Sequence, residues 1–482
     1  MLHPIDELGH LRRVTGDRPH VVILGGGFGG LTAAQKLAKA PVQVTLLDRR
    51  NHHLFQPLLY QVATAALNPG DIAYPIRAAL RKQANARVLL AEATAIDPVG
   101  RRVILDDGEL HYDFLIVATG ATHSYFGHDS WAPHAPGLKS IEDALEIRRR
   151  VFLAYEAAER ESDPVAQRAW QTFVVVGAGP TGVELAGALG EIGLHTLARD
   201  FRRIDPTHVR VLLVEGLDRV LAGYPPKLSA AAQASLEKRR VEVRLHARVT
   251  GIGPTGVELT VTGADGSTTV ERVEARTVLW AAGVAASPVA KSLGVPLDRS
   301  GRVLVEPDLT IPGHPEVFVI GDLAACVTDG KPVPGVCQGA MQGGGYAARA
   351  IAATLRRQPR APFRYKDKGS LATIGRTSAV VVIGKAQHHG FLAWLFWWVL
   401  HIFYVIGFRN RLSVILSWAW SWLTFQRGVR LITGPVGPLP RVGGLTDAGR
   451  PQLPVAAGAV SLDEPTPTDD TVAVVTQAGV AK

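Results

Sequence analysis

The stretch His20–Ala40, HVVILGGGFGGLTAAQKLAKA, decides how this chain folds. Its apolar start predicts a strand, a glycine-rich turn follows at once, and the remainder is rich in helix formers. Glycines at Gly25, Gly27 and Gly30 allow a tight turn, admit a pyrophosphate against backbone N–H groups and let the helix pack on the strand. The stretch therefore predicts a dinucleotide-binding unit, with a purely structural turn as the alternative.

The next strand supports that prediction. Val42–Leu47 is apolar and ends at Asp48, a position from which a carboxylate can hold the ribose of a dinucleotide. Strand, helix and acid then all agree with nucleotide binding.

The same arrangement occurs a second time. Phe173–Val176 leads into glycines at Gly177, Gly179 and Gly182, and the strand Val211–Val214 ends at Glu215. The interval to this acid is longer than the usual 20 or so residues, so the helix and its connection must be longer here. Glu215 would accept from a ribose 2′-hydroxyl and repel a 2′-phosphate, which predicts NADH rather than NADPH. The nearby Arg219 weakens that argument a little.

Two later strands complete these copies of one plan. Phe114–Ala118 ends at Thr119-Gly120, and Thr277–Ala281 ends at Ala282-Gly283. Because Phe318–Asp322 resumes the first plan after the second is finished, the second domain is predicted to be inserted into the first. The fold class is therefore α/β, with two Rossmann-like domains followed by C-terminal helices. The predicted domains are 18–140 and 301–385 for a flavin, 141–300 for NADH, 386–434 for a membrane anchor and 435–482 for a flexible tail.

The segment Phe318–Gly345 is predicted to carry the chemistry. Gly321-Asp322 stops a strand with a carboxylate that would suit a ribityl chain. Gln338 and Gln342 lie four apart on a predicted helix, so both amides share one face and could bind a quinone carbonyl beside a flavin. The alternative is that Asp322 caps the following turn and that both glutamines are solvated.

An apolar segment near the C-terminus raises the question of a membrane. Phe391–Phe408 is an 18-residue apolar run, which as a helix would reach about 27 Å, just short of a bilayer core of about 30 Å. Trp394, Trp397, His401 and Tyr404 recur at helical spacing, and serines line another face of the run that follows Arg411. We expect two helices that lie in the membrane interface with their arginines on lipid phosphates. A spanning helix and a buried core or dimer helix are the alternatives.

Composition narrows the function classes. A net charge of +9 fits nucleic acid, anionic lipid or an anionic cofactor, but no basic run interleaved with aromatics favours nucleic acid. Two cysteines, Cys326 and Cys337, are too few for a disulfide framework, and no metal-binding spacing occurs, so no metal site is predicted. The first twenty residues are polar and lack a signal sequence, so we expect the first domain to start in the cytoplasm.

Together these motifs resemble the type II, non-proton-pumping NADH:quinone oxidoreductases, from about His20 to about Gly434. The more specific marks are the segment Asn51–Gln61, NHHLFQPLLYQ, and the helix start Gly182–Ala186. In that family the glutamines usually lie in A-Q-x-A-x-Q-Q-G, whereas this chain reads CQGAMQGG from Cys337 to Gly344. Cys337 and Gly343 are the departures, and they concern the shape of the quinone pocket.

The resemblance implies non-covalently bound FAD, NADH as substrate, a membrane quinone as acceptor and a two-fold homodimer. It places the enzyme on the cytoplasmic face of the inner membrane, and it puts Glu184 near the nicotinamide and the flavin. The catalytic candidates are Glu184, Gln338 and Gln342. The predicted FAD contacts are Gly25, Gly27, Phe28, Gly29, Gly30, Asp48, Arg49, Gln56, Ala118, Thr119, Gly120 and Asp322. The predicted NADH contacts are Gly177, Gly179, Thr181, Gly182, Glu215, Ala282 and Gly283.

Other functions share parts of this pattern. A sulfide:quinone oxidoreductase has the same architecture but needs redox cysteines that bracket the flavin, and both cysteines here lie in one segment. A soluble NADH oxidase or ferredoxin reductase would not need Phe391–Phe425. A membrane-tethered NADH sensor is the non-enzymatic alternative, and it would bind NADH without turnover.

Overall fold

The computed structural model describes residues 18–436 and 439–440. Within that range the first sheet has six strands, which neighbour one another in the order Thr310–Ile311, His314–Val319, Phe114–Val117, His20–Leu24, Gln43–Asp48 and Ala86–Leu90. Five of the strands are parallel, and only Thr310–Ile311 pairs antiparallel. Since the strand after residue 300 joins strands from before residue 120, the predicted insertion of one domain into the other is confirmed.

The second sheet repeats the plan with four parallel strands. Their order is Val241–Arg244, Arg210–Val214, Thr172–Val176 and Thr277–Trp280. The long interval between Gly182 and Glu215 is explained by a helix at Pro180–Glu191, an added π-helical turn at Ile192–Thr196 and a short 3-10 turn at Pro206–His208.

Both glycine-rich turns start their helices earlier than the sequence suggests. The first glycine helix is Phe28–Lys36, with Gly27 as its N-cap, and the second is Pro180–Glu191, with Gly179 as its N-cap. Each helix therefore begins inside its motif, so that its free N–H groups lie at the turn itself.

Small residues bring the glutamine-bearing helix, Cys337–Leu355, against the first glycine helix. A Cβ on Gly344 would lie 2.1 Å from the carbonyl oxygen of Gly29, so the two backbones touch there. The departure at Gly343 follows from the same packing, because that residue is buried with its Cβ position 3.3 Å from Ile320. Gly343 therefore belongs to the core rather than to a ligand site.

Shorter elements surround the two sheets. The further helices are Leu59–Ala63, Pro69–Ile72, Ile76–Leu80, Ile141–Arg160, Pro164–Trp170 and Pro226–Glu237, with 3-10 turns at Gln56–Leu58, Asp129–Trp131, Pro288–Leu293 and Gly321–Leu323. The further strands are His52–Leu54 with Ala73–Pro75; Ala93–Asp97, Arg102–Leu105 and Glu109–His111; Ala121–His123 with Val284–Ala286; Ala247–Gly253, Gly256–Thr262 and Thr268–Glu274; Val303–Leu304 with Ala324–Ala325; Val327–Thr328 with Lys331–Pro332; and Ser370–Thr373, Ala379–Ile383 and Ala386–Gly390. The pair Ala121–His123 and Val284–Ala286 links the two nucleotide domains edge to edge.

The C-terminal hairpin consists of the helices Phe391–Tyr404 and Phe408–Thr424. The apolar run Phe391–Phe408 is thus not one helix, since Val405–Gly407 interrupts it. In the part of the chain that the structure describes, no helix has both the length and the apolar character needed to cross a membrane.

The polar side of the hairpin faces the body of the protein. Ser413 donates to Asp71 at 2.7 Å, and Asn410 donates to the carbonyl of Ala73 at 3.0 Å. The tryptophan edge also turns inward, because Trp397 is buried and packs against Trp418 in a tilted arrangement with ring centroids 5.5 Å apart. The tail prediction for 435–482 falls mostly on residues 441–482, which lie outside the described ones.

Not all the hairpin arginines are free for lipid phosphates, contrary to our expectation. Arg411 donates to the carbonyls of Phe403 and Val405 and so caps the first helix of the hairpin. Arg427 is buried and donates to the carbonyl of Thr64 at 2.8 Å. Arg409 alone of these three side chains is exposed without a hydrogen bond to described residues.

Candidate active site

The two glycine-rich turns have the same geometry. Gly25 and Gly177 adopt left-handed φ angles of 98° and 97°, which favour glycine. A Cβ on Gly30 would lie 1.8 Å from the oxygen of Gly25, and a Cβ on Gly182 would lie 1.8 Å from the oxygen of Gly177. The third glycine of each motif is therefore required for the helix to close on its own turn.

The middle glycine of each motif faces open space. No atom lies within 4 Å of the position that a Cβ would take on Gly27 or on Gly179. Because the protein itself does not need glycine there, the requirement comes from what approaches the backbone from outside. A pyrophosphate at the start of the helix fits that requirement.

The acid of each motif is held by its own turn. Asp48 accepts from the backbone N–H of Gly26 at 2.6 Å and of Arg50 at 2.7 Å. Glu215 accepts from the N–H of Ala178 at 2.7 Å and of Leu217 at 3.1 Å. Both carboxylates are thus oriented at their turns and keep acceptor capacity, which a contact to ribose hydroxyls would require.

Arg219 does not extend freely toward a 2′-phosphate. Its guanidinium donates to Asp218 at 3.3 Å and to the carbonyl of Ala222 at 3.0 Å. Glu215 therefore remains the charged group best placed for the ribose, which agrees with the prediction of NADH.

A cavity of about 580 Å³ runs along the carboxyl edge of the first sheet. Of the predicted FAD contacts, Gly30 is absent from its lining, because this glycine packs beneath the turn. The predicted contacts that do line it are Gly25, Gly27, Phe28, Gly29, Asp48, Arg49, Gln56, Ala118, Thr119, Gly120 and Asp322. The residues fit FAD, since the hydroxyl of Thr119 and the Nε2 atom of His52 are buried in the lining without a hydrogen-bond partner.

Asp322 does not serve as a helix cap. The turn Gly321–Leu323 has Ile320 as its N-cap, and no side chain caps it. Its carboxylate makes no hydrogen bond with any described residue and lies in the lining of the FAD cavity. Its role as a contact of the ribityl chain stays a prediction, and the carboxylate has acceptor capacity for it.

A second cavity, of about 130 Å³, opens beside the first. Gln56, His123 and Lys139 line both cavities, so the two spaces meet. The predicted residues Thr181, Glu184 and Gly283 line the second cavity, whereas Ala282 packs against Gly177 instead. This is the place where a nicotinamide held by the second motif would reach a flavin held by the first.

Glu184 contributes a carboxyl group to the lining of the second cavity. Burial raises the pKa of its carboxyl from 4.5 to about 8, and the backbone N–H of Thr373 opposes that shift. The side chain therefore keeps a proton at neutral pH although it faces a space where substrate reacts.

The two glutamines share a helix face, as predicted, but have different partners. The amide of Gln342 donates to the carbonyl of Lys366 and accepts from its N–H, both at 2.9 Å. The Oε1 atom of Gln338 is buried without any partner. Cys337 lines the FAD cavity, and burial raises the pKa of its thiol.

Several lining residues were not among those predicted from the sequence. His123 and Lys139 lie in connections between the domains, and Tyr60 and Trp280 lie in apolar segments. Tyr60 belongs to the quoted segment Asn51–Gln61, which was the one available signal for it.

The site and the fold define a class of protein, the two-dinucleotide flavoprotein oxidoreductases. The sequence profile of the pyridine nucleotide-disulphide oxidoreductases matches residues 19–358. The chain is 50% identical over 427 residues to the type II NADH:quinone oxidoreductase Ndh of Mycobacterium tuberculosis, covering 86% of this chain and 90% of that protein. This chain belongs to the type II NADH:quinone oxidoreductases, with FAD and NADH as its cofactor and substrate.

Solved structures agree on the fold. NDH2 from Plasmodium falciparum in complex with NADH matches with a TM-score of 0.79 at 19% identity, covering 86% of this chain and all of that chain. The sulfide:quinone oxidoreductase from Aquifex aeolicus matches with a TM-score of 0.64 at 19% identity, covering 88% and 99%. At these identities only the fold is shared, so the choice between the two activities rests on the closer sequence relationship.

Proposed function

We propose that this enzyme passes a hydride from NADH to FAD and two electrons from FAD to a membrane quinone. The observation that carries the proposal is the meeting of the FAD cavity and the Glu184 cavity at Gln56, His123 and Lys139. When bound, FAD supplies the hydride acceptor and the electron donor, while the protein supplies position, polarity and exclusion of water. The test is a flavin absorbance that bleaches with NADH and recovers when quinone is added.

Glu184 is proposed as the source of a proton. Reduction of a quinone to a quinol takes two electrons and two protons, and the hydride of NADH accounts for one proton together with both electrons. The other proton must come from water through the protein. With a pKa of about 8, Glu184 holds a proton at neutral pH and can be reloaded after giving it up.

Gln338 is proposed as the direct contact of the quinone head group, and Gln342 as the residue that holds the segment at Lys366. An amide can donate to a quinone carbonyl and accept from a quinol hydroxyl. The buried and unpartnered amide oxygen of Gln338 supports this division, as do the two hydrogen bonds of Gln342.

Replacing Gln338 by leucine is expected to slow reoxidation of the flavin by quinone roughly tenfold, because one charge-neutral hydrogen bond to the substrate is lost. Reduction of the flavin by NADH should stay unchanged. Stopped-flow absorbance measures both half-reactions, and Gln233→Leu on the outer helix Pro226–Glu237 is the control. Equal losses in both half-reactions would show that Gln338 supports the FAD site instead.

The C-terminal hairpin is proposed as the membrane-binding element. Its polar residues are hydrogen-bonded to the body, and its outward side presents apolar side chains that are 60 to 83% exposed, namely Leu392, Phe403, Phe408, Leu416 and Leu423. An exposed apolar surface of this kind marks an interaction site. Two short helices present this apolar surface, and neither has the length and apolar character to span a membrane. We propose that both helices lie in the membrane interface on the cytoplasmic face of the inner membrane.

Glutamates at both Leu416 and Leu423 are expected to weaken vesicle binding by at least about a hundredfold, because each leucine contributes about 2 kcal/mol when buried in lipid. Co-sedimentation with phosphatidylcholine and phosphatidylglycerol vesicles measures the effect. The matched control is Val270→Glu, since Val270 is 75% exposed on a sheet of the NADH domain. The idea is wrong if the double variant and the control sediment equally.

The domain bounds 18–140, 141–300, 301–385 and 386–434 remain our proposal, supported by the membership of their strands in separate sheets. The homodimer is likewise proposed, from the family resemblance. Sedimentation velocity in detergent tests it, and a species of monomer mass at all concentrations would reject it.

A further inference from the structure

A third cavity, of about 70 Å³, lies between the C-terminal hairpin and the body of the protein. Its lining combines the aromatic side chains of Tyr60, Trp397 and Trp418 with the charged groups of Glu191 and Arg427. The proposed function uses none of these residues. A small space with both charged and aromatic walls can hold water in a way that an apolar void does not.

Tyr60 separates this cavity from the one that contains Glu184. Tyr60 lines both cavities and is 8% exposed, and the charge of Glu184 acts on its hydroxyl. Tyr60 thus lies between the space that contains Glu184 and the charged cavity under the hairpin.

The hydroxyl of Tyr60 is held in place but not saturated. Gln61 donates from Nε2 to the Tyr60 oxygen at 2.8 Å, and Trp418 donates from its indole N–H to Oε1 of Gln61 at 2.5 Å. The hydroxyl therefore keeps its own hydrogen and one lone pair. Those two features are what a hydroxyl needs to accept a proton on one side and donate one on the other.

We propose that Tyr60 relays protons from the cavity under the hairpin to Glu184. After Glu184 has given its proton to the quinone, the Tyr60 O–H donates its hydrogen to the carboxylate and the Tyr60 oxygen takes a proton from water in the third cavity. The Tyr60 O–H bond breaks as the Glu184 O–H bond forms, and a water O–H bond breaks as a new Tyr60 O–H bond forms. The water recovers its proton from solvent, so one proton is delivered per turnover and Tyr60 is unchanged. The relay rests on the proposed role of Glu184.

The charged surroundings agree with a neutral hydroxyl in this role. Glu184 faces Tyr60 from the second glycine helix, Glu191 faces it from the end of that helix, and Arg427 faces it from beyond the hairpin. Burial raises the pKa of Tyr60 well above its ordinary value, so the phenol does not ionise near neutral pH. Tyr224 also lies near Glu184, so its hydroxyl is a rival for the same role.

The hairpin takes part through Trp418. The Trp418 indole holds Gln61 by a hydrogen bond, and Gln61 holds the Tyr60 hydroxyl in the same way. The packing of the hairpin against the body therefore orients the Tyr60 hydroxyl. Trp418→Phe should therefore slow the same step as loss of the Tyr60 hydroxyl, though less.

The experiment compares Tyr60→Phe with Tyr155→Phe in the full-length, FAD-loaded enzyme. Tyr155 is also buried, but its hydroxyl has no hydrogen-bond partner, so its loss should change neither half-reaction. Tyr60→Phe should slow reoxidation by quinone roughly tenfold, because proton transfer becomes limiting, and should enlarge the rate ratio between H₂O and D₂O. Reduction by NADH should fall far less than reoxidation, and the flavin absorbance of the purified variant verifies that it is folded and loaded.

Three outcomes distinguish failure of the Tyr60 relay from failure of the proposed role of Glu184. If Glu184→Gln does not slow reoxidation, the role of Glu184 fails. If Glu184→Gln slows it but Tyr60→Phe matches Tyr155→Phe, only the relay fails, and Tyr224→Phe then tests the rival hydroxyl. If the relay is right, Tyr60→Phe adds no further loss in the Glu184→Gln background, because the two residues act in series.

Discussion

Glu184→Gln is expected to slow reoxidation of the flavin by quinone by about a hundredfold, at the lower end of what a positioned general acid contributes. The amide keeps the shape of the side chain and cannot give up a proton to the quinone. Flavin reduction by NADH should fall far less. Double-mixing stopped flow, which separates the two half-reactions, gives the comparison.

The pH dependence provides a second readout for Glu184. Its carboxyl is protonated below a pKa of about 8, so quinone reoxidation in the unmodified enzyme should be fastest below that pH and decline above it. The glutamine variant should lack this decline. A decline of the same size in both proteins would assign it to another group.

The raised pKa also affects stability. Because the folded state keeps the proton up to about pH 8 while an unfolded glutamate loses it near pH 4.5, folding stability should fall as the pH rises between those values. Glu184→Gln should reduce this fall. Thermal unfolding of the FAD-free protein between pH 5 and 8, about the window of the shift, measures it.

Gly179→Ala and Gly182→Ala are expected to fail for different reasons. The Cβ at position 179 meets no protein atom, so this variant should fold normally and bind NADH about a hundredfold more weakly, equivalent to about 2.8 kcal/mol. The Cβ at position 182 would lie 1.8 Å from the oxygen of Gly177, which should destabilise the domain by about 3 kcal/mol.

NADH titration of the steady-state rate, together with thermal unfolding, distinguishes the two glycine variants. Gly253→Ala, on the outer sheet of the same domain, also adds a Cβ in open space and should change neither quantity. If the Gly179→Ala enzyme bound NADH with ordinary affinity, the pyrophosphate of NADH would not bind at that position.

Local chemistry explains why so much of the nucleotide sites was predictable. The two turns depend on glycines whose φ angles and helix starts are local, and the close approaches of Gly30 and Gly182 are to residues five positions earlier. Asp48 and Glu215 also bond to their own turns. Such features leave a fixed spacing in the sequence, so the insertion of one domain into the other could be inferred as well.

Contacts between segments that are far apart in the chain do not produce a fixed residue spacing in the sequence. His123 and Lys139 join the first two cavities and lie in stretches without a motif. Tyr60 lines the second and third cavities, and only its place in the segment Asn51–Gln61 marked it in the sequence. Helical periodicity placed Gln338 and Gln342 on one face but could not show that Lys366 occupies only the second amide.

The hairpin also combines features that the local sequence predicts with features that depend on contacts to distant segments. Its composition and spacing determined that two apolar helices would form with an aromatic edge and a serine edge. Only the tertiary structure decided that both edges face the protein, because burial depends on which surface the body offers, and Gln61, Asp71 and Ala73 offer hydrogen-bond partners there. The sequence alone thus determined the two nucleotide turns and the order of the domains. The packing of segments far apart in the chain decided which side chains surround Glu184, which glutamine is free and which side of the hairpin faces outward.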